Sequence, residues 1–409
     1  MADSEHPRLI LHNFLPLDLC KELEFIHKSC CTVGYRPNVL STTLSHLIAT
    51  NSAHFILPII PIRERLREKA EEYFGCQYEL FVEFTGLISW CRGASIGWHS
   101  DDNRPYLKQR DFAAVCYLNS YDADFKGGIF HFKDGEPADI VPMAGDVIMY
   151  TADDQNIHSV DEITEGERIT LTLWFSRDVS HDEDSKLISS LSRALLGVGD
   201  RKLLSYLPVP GSINMYWFPP DEASSFLSGF DIRCGRLHVL GFDIHQFQKT
   251  SHLSASDSSY NFELLSGPLL LARENELFET QFLNIMHALQ LVQFYHWKFS
   301  SLKTKVEGST PTPTPTPTPN VIPISSNQKT EIGHLRSAFL KDLQLAEGFF
   351  GNSRPIKVMD YGFDWLTFSA AVPEWECYVF KLQKELLLHL PHWRTNQSIF
   401  CVPLGHVEE

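Results

Sequence analysis

Two imidazoles and one carboxylate set the chemistry this sequence can support: His99, Asp101 and His158. A metal held by two histidines and a carboxylate on one face keeps other positions free. A redox iron that must take a cosubstrate and oxygen together needs that arrangement. His99 and Asp101 stand two apart, so on a strand both side chains leave the same face and converge on one ion, while Ser100 and Asp102 point away. The third ligand must come from another strand, and His158 is the candidate. Ten positions further on, Arg168 and Thr170 share a strand face, where a guanidinium fork and a hydroxyl can jointly grip a carboxylate. That pairing suits an oxo-acid cosubstrate beside the iron.

Such residues need strands to hold them. Phe112 to Leu118, Ile129 to Phe132 and Val147 to Tyr150 read as strands, punctuated by Gly127-Gly128 and Ala144-Gly145-Asp146. A turn is expected at Thr164-Glu165-Gly166. After it, Arg168, Thr170, Thr172 and Trp174 alternate with Ile169, Leu171, Leu173 and Phe175, a strand with two different faces. Upstream, strands begin near Leu80, and Phe81 to Ile88 lead to a turn at Gly93 that delivers His99. Roughly eight strands over 80–176 suit a double-stranded β-helix, a jelly roll with its site in the barrel mouth. The polar stretch 103–110 follows the first ligands directly and is either a substrate lid or a solvated loop.

In order, these motifs resemble those of the 2-oxoglutarate- and iron(II)-dependent oxygenases, on their prolyl hydroxylase-like branch. Tyr117-Leu118-Asn119, Gly127-Gly128 and Pro142 followed by Ala144-Gly145-Asp146 sit where that branch carries its YLN, GG and PxxGD signatures. The resemblance covers roughly residues 80–178, with weaker similarity back to Leu11. It implies His99, Asp101 and His158 as iron ligands and catalytic residues. Arg168 would hold the distal carboxylate of 2-oxoglutarate, with Thr170 and Tyr117 in the same cosubstrate pocket, and L-ascorbate would be the reductant. Arg168 stands where prolyl 4-hydroxylases usually carry lysine, a pattern closer to prolyl 3-hydroxylase- and lysyl hydroxylase-like members. Trp90-Cys91-Arg92-Gly93 replaces a stretch that often holds tyrosine, and Ile129-Phe130 replaces a commoner Glu-Thr.

The implied reaction is hydroxylation of a substrate C–H bond with decarboxylation of 2-oxoglutarate to succinate. A peptidyl residue, prolyl first, is the expected substrate. Oxidative demethylation of a methylated protein or nucleobase is an alternative reaction. An inactive oxygenase fold acting as a scaffold through its C-terminal domain is an alternative class, which the intact set of four site residues opposes. Neutral imidazole ligands imply that iron affinity falls in acid.

Other clusters compete less well. His181-Asp182-Glu183 lies in an acidic stretch past the last expected strand and reads as a linking loop. His131 could line the pocket but fits an outward or core imidazole better. The spacing of His238, Asp243 and His245 suits no single strand face.

At 409 residues the chain exceeds one ordinary domain. Its apolar share of 43% and charged share of 21% describe a globular protein. With 35 basic against 51 acidic side chains, the net charge of −16 argues against general nucleic-acid affinity. It leaves a protein or peptide substrate open. The 9 cysteines are scattered without a C-x-x-C pair, which suits a reducing compartment. No basic-apolar leader opens the sequence and no apolar run reaches membrane-spanning length, so no membrane association and a cytoplasmic or nuclear location are expected. The oligomeric state is not legible.

The expected organisation is α+β. Residues 1–79 supply helical support, with a short strand from Leu9 to Leu11 and a helix carrying Leu19, Cys20, Leu23 and Ile26 on one stripe. A second helix over 62–74 starts near Pro61, stops at Gly75, and buries Ile62, Leu66, Ala70 and Tyr73. Residues 80–178 form the jelly roll, and 179–308 are mixed and largely helical, including a helix-like 184–200 and a long helix over 274–298. Within 309–329 the Thr-Pro repeat from Thr310 to Pro319 is a disordered, extended spacer of roughly 30 Å, at ~3.1 Å per residue. Residues 330–409 add helices near 330–347 and 374–390, whose apolar stripes can pack back onto 200–300. The role of this helix-rich C-terminal region is open between substrate capture and a partner interface.

Overall fold

Alternation along one strand decides which way the sheet faces. The computed structural model describes residues 5–34, 36, 38–49, 52–75, 81–196, 236, 277–308 and 365–399. Twelve β-strands form two main antiparallel sheets among them. They are β1 (Arg8–Leu11), β2 (Thr32–Val33), β3 (Val39–Thr43), β4 (Phe81–Cys91), β5 (Ile96–His99), β6 (Phe112–Tyr117), β7 (Phe125–Gly127), β8 (Phe130–Phe132), β9 (Asp139–Ile140), β10 (Val147–Thr151), β11 (His158–Val160) and β12 (Ile163–Ser176). The larger sheet runs β1-β10-β6-β12-β4-β3-β2 with β7 paired to the start of β12, and the smaller runs β5-β11-β8-β9.

The alternation expected over 168–175 is present, with the polar side turned inward. Thr170, Thr172 and Trp174 stand opposite Tyr117, Val115 and Ala113. Those partners join Tyr150, Phe130, Phe132 and Val160 in one buried cluster between the two sheets. Ile169, Leu171, Leu173 and Phe175 occupy the other face and are wholly buried. Helices cover that face: α1 (Leu17–Cys30) through His27, whose ring meets Thr42 and Ser89, and α3 (Ile60–Phe74) through Phe74 stacked on Phe112. Between them lies the short α2 (Leu44–Ala49). Both faces of β12 are therefore enclosed, and polar side chains on the inner face must find partners or a ligand.

Three expectations need correction. Residues 164–166 are not a turn. β12 continues through them with an irregular register against β7, and Gly166 takes a positive φ of 75° that bends the strand without ending it. The stretch from Phe81 to Ser176 carries nine strands where about eight are expected, among them the two-residue β9. Tyr73 is 39% exposed, because its hydroxyl reaches out to donate to the Arg8 carbonyl at 2.7 Å, whereas Ile62, Leu66 and Ala70 are buried as the helical spacing requires. Gly75 ends α3 in a left-handed conformation, φ 64°, which glycine adopts without a Cβ penalty.

The chain divides into two compact units, Met1–His27 with Cys31–Gly229 and Phe380–Glu409, and Lys28–Cys30 with Phe230–Val379. In the first, α4 (Asp184–Leu196) opens with a buried Asp184. Its carboxylate takes the Arg63 guanidinium on one oxygen, and the Ser398 hydroxyl and Ile399 amide on the other. In the second unit, α5 (Leu277–Gly308) and the first part of α6 (Trp365–Asn396) pack through Tyr295 on Phe368 and Phe294 on Tyr378. The stretch 202–270 (Arg236 excepted), the Thr-Pro repeat, the helix expected near 330–347 and the His238, Asp243, His245 cluster lie outside the described residues. Among the described residues, no helix is long and apolar enough to cross a membrane.

Candidate metal centre and carboxylate pocket

β5 and β11 are paired so that His99 and His158 stand directly opposite one another, their rings 4.3 Å apart. Asp101 joins them by a different route from the one its spacing suggests. β5 ends at His99, and Asp101 opens a turn instead of continuing the strand. The ladder stops because the next residue is tied elsewhere. The Asp102 amide donates to the Ala152 carbonyl at 3.0 Å, and its buried carboxylate accepts Ser100 at 2.8 Å and Lys108 at 2.6 Å. The turn still delivers Asp101: one ligand atom from each of His99, Asp101 and His158 lies within 4.8 Å of the others.

Hydrogen bonds fix which atoms of this trio are free. Nδ1 of His99 faces the Gly97 carbonyl at 2.9 Å, and Nδ1 of His158 faces the Asn156 carbonyl at 2.9 Å. A carbonyl only accepts, so each Nδ1 carries a proton, and Nε2 is the nitrogen each ring turns toward Asp101. Both Nε2 atoms lie 4.0 Å from Oδ1 of Asp101, an approach with room for a metal ion between them. Burial, reinforced by the neighbouring His158, pushes the His99 imidazole down to about 4, which favours the neutral ligand form. Phe130 stacks on the His158 ring at 4.8 Å and holds its plane.

Tyr150 is the member of the site that the sequence reading missed. Its hydroxyl donates to Oδ2 of Asp101 at 3.0 Å and lies 3.4 Å from Nε2 of His158. Burial and the Asp101 charge hold that hydroxyl well above the ordinary phenol range, so it is a neutral donor. The signal was available: Tyr150 shares a strand face with Ile148, which period two directs into the core.

Arg168 lies 3% exposed on the inner face of β12. Its guanidinium carbon sits 5.3 Å from the Tyr117 ring and 5.9 Å from the Trp90 ring. Among the described residues no carboxylate comes within ion-pair distance of it, and neither its Nε nor the buried Tyr117 hydroxyl has a hydrogen-bond partner. Burial pushes the Tyr117 hydroxyl up, opposed by the Arg168 charge. A buried cation without a counter-charge is costly, and a carboxylate ligand would satisfy both orphaned groups. Thr170 is also buried on this face, with its hydroxyl directed at the Ile88 carbonyl at 3.4 Å.

The YLN, GG and GD motifs are the mounting of this arginine. The Asn119 amide donates to the Glu167 carbonyl at 2.7 Å and its oxygen accepts from the Ile169 amide at 2.9 Å, bracketing Arg168 on both sides. Gly128, at φ 67°, leaves space for the arginine stem: a Cβ there would sit 3.1 Å from Cδ of Arg168 and collide with Ile163. The Asp146 carboxylate accepts from the Asn13 amide at 2.9 Å while its carbonyl takes the Tyr117 amide at 2.9 Å, anchoring the end of β6.

His131 is held apart from the pocket. On β8 it alternates with Phe130 and Phe132, so it faces outward, between Asp139 and Asp161, whose hydrogen bonds raise its pKa. His181 sits 3.7 Å from Asp178 in a short 3-10 turn and joins no metal-binding group among the described residues.

Parts of the chain are similar to known proteins. Residues 86–176 match the model of the 2OG-Fe(II) oxygenase superfamily. Prolyl 3-hydroxylase 1 of Gallus gallus is 24% identical over 226 residues, 44% of this chain and 30% of that protein. Prolyl 3-hydroxylase 2 of Homo sapiens is 27% identical over 219 residues, 43% of this chain and 30% of that protein. The chain thus spans less than a third of the length of these curated relatives. Among solved structures, a Pseudomonas putida prolyl-4-hydroxylase is similar at 20% identity with a TM-score of 0.35, over 42% of this chain and 94% of that one. Residues 86–176 thus resemble the 2OG-Fe(II) oxygenase superfamily, and a wider part of the chain is similar to proteins named prolyl 3-hydroxylases.

Proposed function

We propose that the protein is an Fe(II)- and 2-oxoglutarate-dependent dioxygenase that hydroxylates a C–H bond of a peptidyl residue, prolyl in the first instance. The observation that carries this reading is the convergence of His99, Asp101 and His158 with each Nδ1 turned to a backbone carbonyl and neither Nε2 engaged by the backbone. Iron(II), when bound, supplies oxygen activation coupled to decarboxylation of 2-oxoglutarate to succinate. The chain's own residues do the rest. His99 and His158 would hold the metal through Nε2, and Asp101 would hold it through Oδ1. Arg168 neutralises the far carboxylate of 2-oxoglutarate, the Tyr117 hydroxyl lies beside it as a donor, and Thr170 stands on the same strand face. Phe130, Phe132 and Val160 keep water from the space between the sheets, which strengthens each of these contacts.

The two facing antiparallel sheets support the jelly-roll reading of this unit. The prolyl substrate rests on likeness to relatives named prolyl 3-hydroxylases. Ascorbate as reductant, a cytoplasmic or nuclear location, the Thr-Pro repeat as a spacer and the helical C-terminal region as a capture or partner surface belong to the same proposal.

The test is conversion of 2-oxoglutarate to succinate by the purified protein with Fe(II), first alone and then with a library of proline-containing peptides read by mass spectrometry. Turnover abolished by His158→Ala, with a peptide gaining one oxygen, supports the proposal. Loss of a methyl group from a methylated peptide would move the reaction to demethylation. Absence of turnover with metal bound would reduce the fold to a scaffold.

A further inference from the structure

Asp101 is the one site residue that no strand constrains. His99 and His158 are fixed by β-pairing and by their Nδ1 bonds, whereas Asp101 stands in a turn and has two equivalent oxygens. A carboxylate so placed can swing, or chelate a metal through both oxygens. Chelation would fill a coordination position that cosubstrate or oxygen needs. One side chain addresses this freedom. Tyr150, 2% exposed on β10, donates to Oδ2 at 3.0 Å and leaves Oδ1 equidistant, at 4.0 Å, from the two imidazole nitrogens. Packing does not call for that hydroxyl. The Tyr150 ring meets His158 at 4.9 Å, Phe132 at 5.5 Å and Phe130 at 5.8 Å, contacts that phenylalanine would make equally well.

We propose that Tyr150 is a positioning residue whose hydroxyl holds Oδ2 of Asp101, so that Asp101 offers a metal one oxygen only. The proposal rests on the metal-centre reading given above. Its effect is exerted through Asp101, so removing the hydroxyl should matter only while the carboxylate is present.

A double-mutant cycle tests this with Ni(II), which binds N/O sites tightly. Calorimetric titrations without 2-oxoglutarate would compare the full chain, Tyr150→Phe, Asp101→Ala and the double variant, with melting curves confirming that each is folded. Tyr150→Phe should weaken Ni(II) binding by about 10- to 100-fold, as loss of an outer-shell partner does. In the Asp101→Ala background it should change nothing further. X-ray absorption of Ni(II)-loaded Tyr150→Phe should show a changed metal-to-carboxylate distance relative to the unsubstituted protein. Unchanged affinity in Tyr150→Phe, or an equal loss in both backgrounds, overturns the role of Tyr150 while leaving the metal centre standing. If the unsubstituted chain fails to bind Ni(II), or binds it as well after His158→Ala, both the metal centre and this proposal are refuted.

Discussion

The two ends of the pocket treat their polar atoms in opposite ways. At the metal end every atom that does not face the cavity is engaged: Nδ1 of His99 by Gly97, Nδ1 of His158 by Asn156, Oδ2 of Asp101 by Tyr150. At the Arg168 end the backbone is bracketed by Asn119, yet Nε of Arg168 and the Tyr117 hydroxyl stay unpaired and buried. The first end is preorganised, and the second leaves hydrogen bonds for a ligand to make. A metal therefore has a set of donors to enter, whereas the carboxylate that joins it would relieve an existing desolvation cost.

Removing a donor from the preorganised end should have the largest consequence. His158→Ala should abolish succinate formation and weaken Ni(II) binding by more than about 100-fold, beyond an outer-shell loss. Calorimetry and a succinate assay read the two effects. Retained metal affinity would mean that the donors do not act together.

The unpaired end should respond differently. Arg168→Ala should raise the 2-oxoglutarate requirement by about 30-fold or more, the scale of losing one partner of a buried charge pair, with Ni(II) affinity kept. Arg168→Lys should fall between, because an ammonium cannot make the two-pronged contact. An unchanged 2-oxoglutarate requirement would remove Arg168 from the pocket.

A smaller effect should come from the mounting. Gly128→Ala places a side chain at φ 67° against Ile163 and the Arg168 stem. It should cost about 1–2 kcal/mol from the left-handed backbone alone, read by chemical unfolding, and weaken 2-oxoglutarate binding more than Ni(II) binding.

The smallest effect is expected outside the pocket, at His131. Its pKa is raised above 6.5, first by the bond to Asp161 and then by that to Asp139. The folded pKa exceeds the unfolded one, so the stabilisation is complete below the unfolded value and disappears as pH rises through the folded value. The melting difference between the protein and His131→Gln should shrink with rising pH across that window. A difference that grows would show the sign to be wrong.

What could be read beforehand followed from period two and from turn residues. The alternation at 168–175 located β12, and the glycines at 127–128 and 145 marked real breaks. Less accessible was anything set by tertiary pairing. Asp101 looked like a strand residue because its spacing to His99 satisfies that geometry, and only the Asp102 bond to Ala152 shows why the ladder stops. Residues 164–166 carry turn composition but are kept extended by β7. Tyr150 stood only as the end of an expected strand, since its hydroxyl acquires meaning only once the opposite sheet brings Asp101 to it.

The most direct test of the central claim is anomalous X-ray scattering from crystals of the protein grown with Ni(II) and 2-oxoglutarate. The account predicts one strong peak bounded by Nε2 of His99, Nε2 of His158 and Oδ1 of Asp101, with a 2-oxoglutarate carboxylate on Arg168. A metal bound elsewhere, or that space left empty while Arg168 stays unpaired, would contradict it.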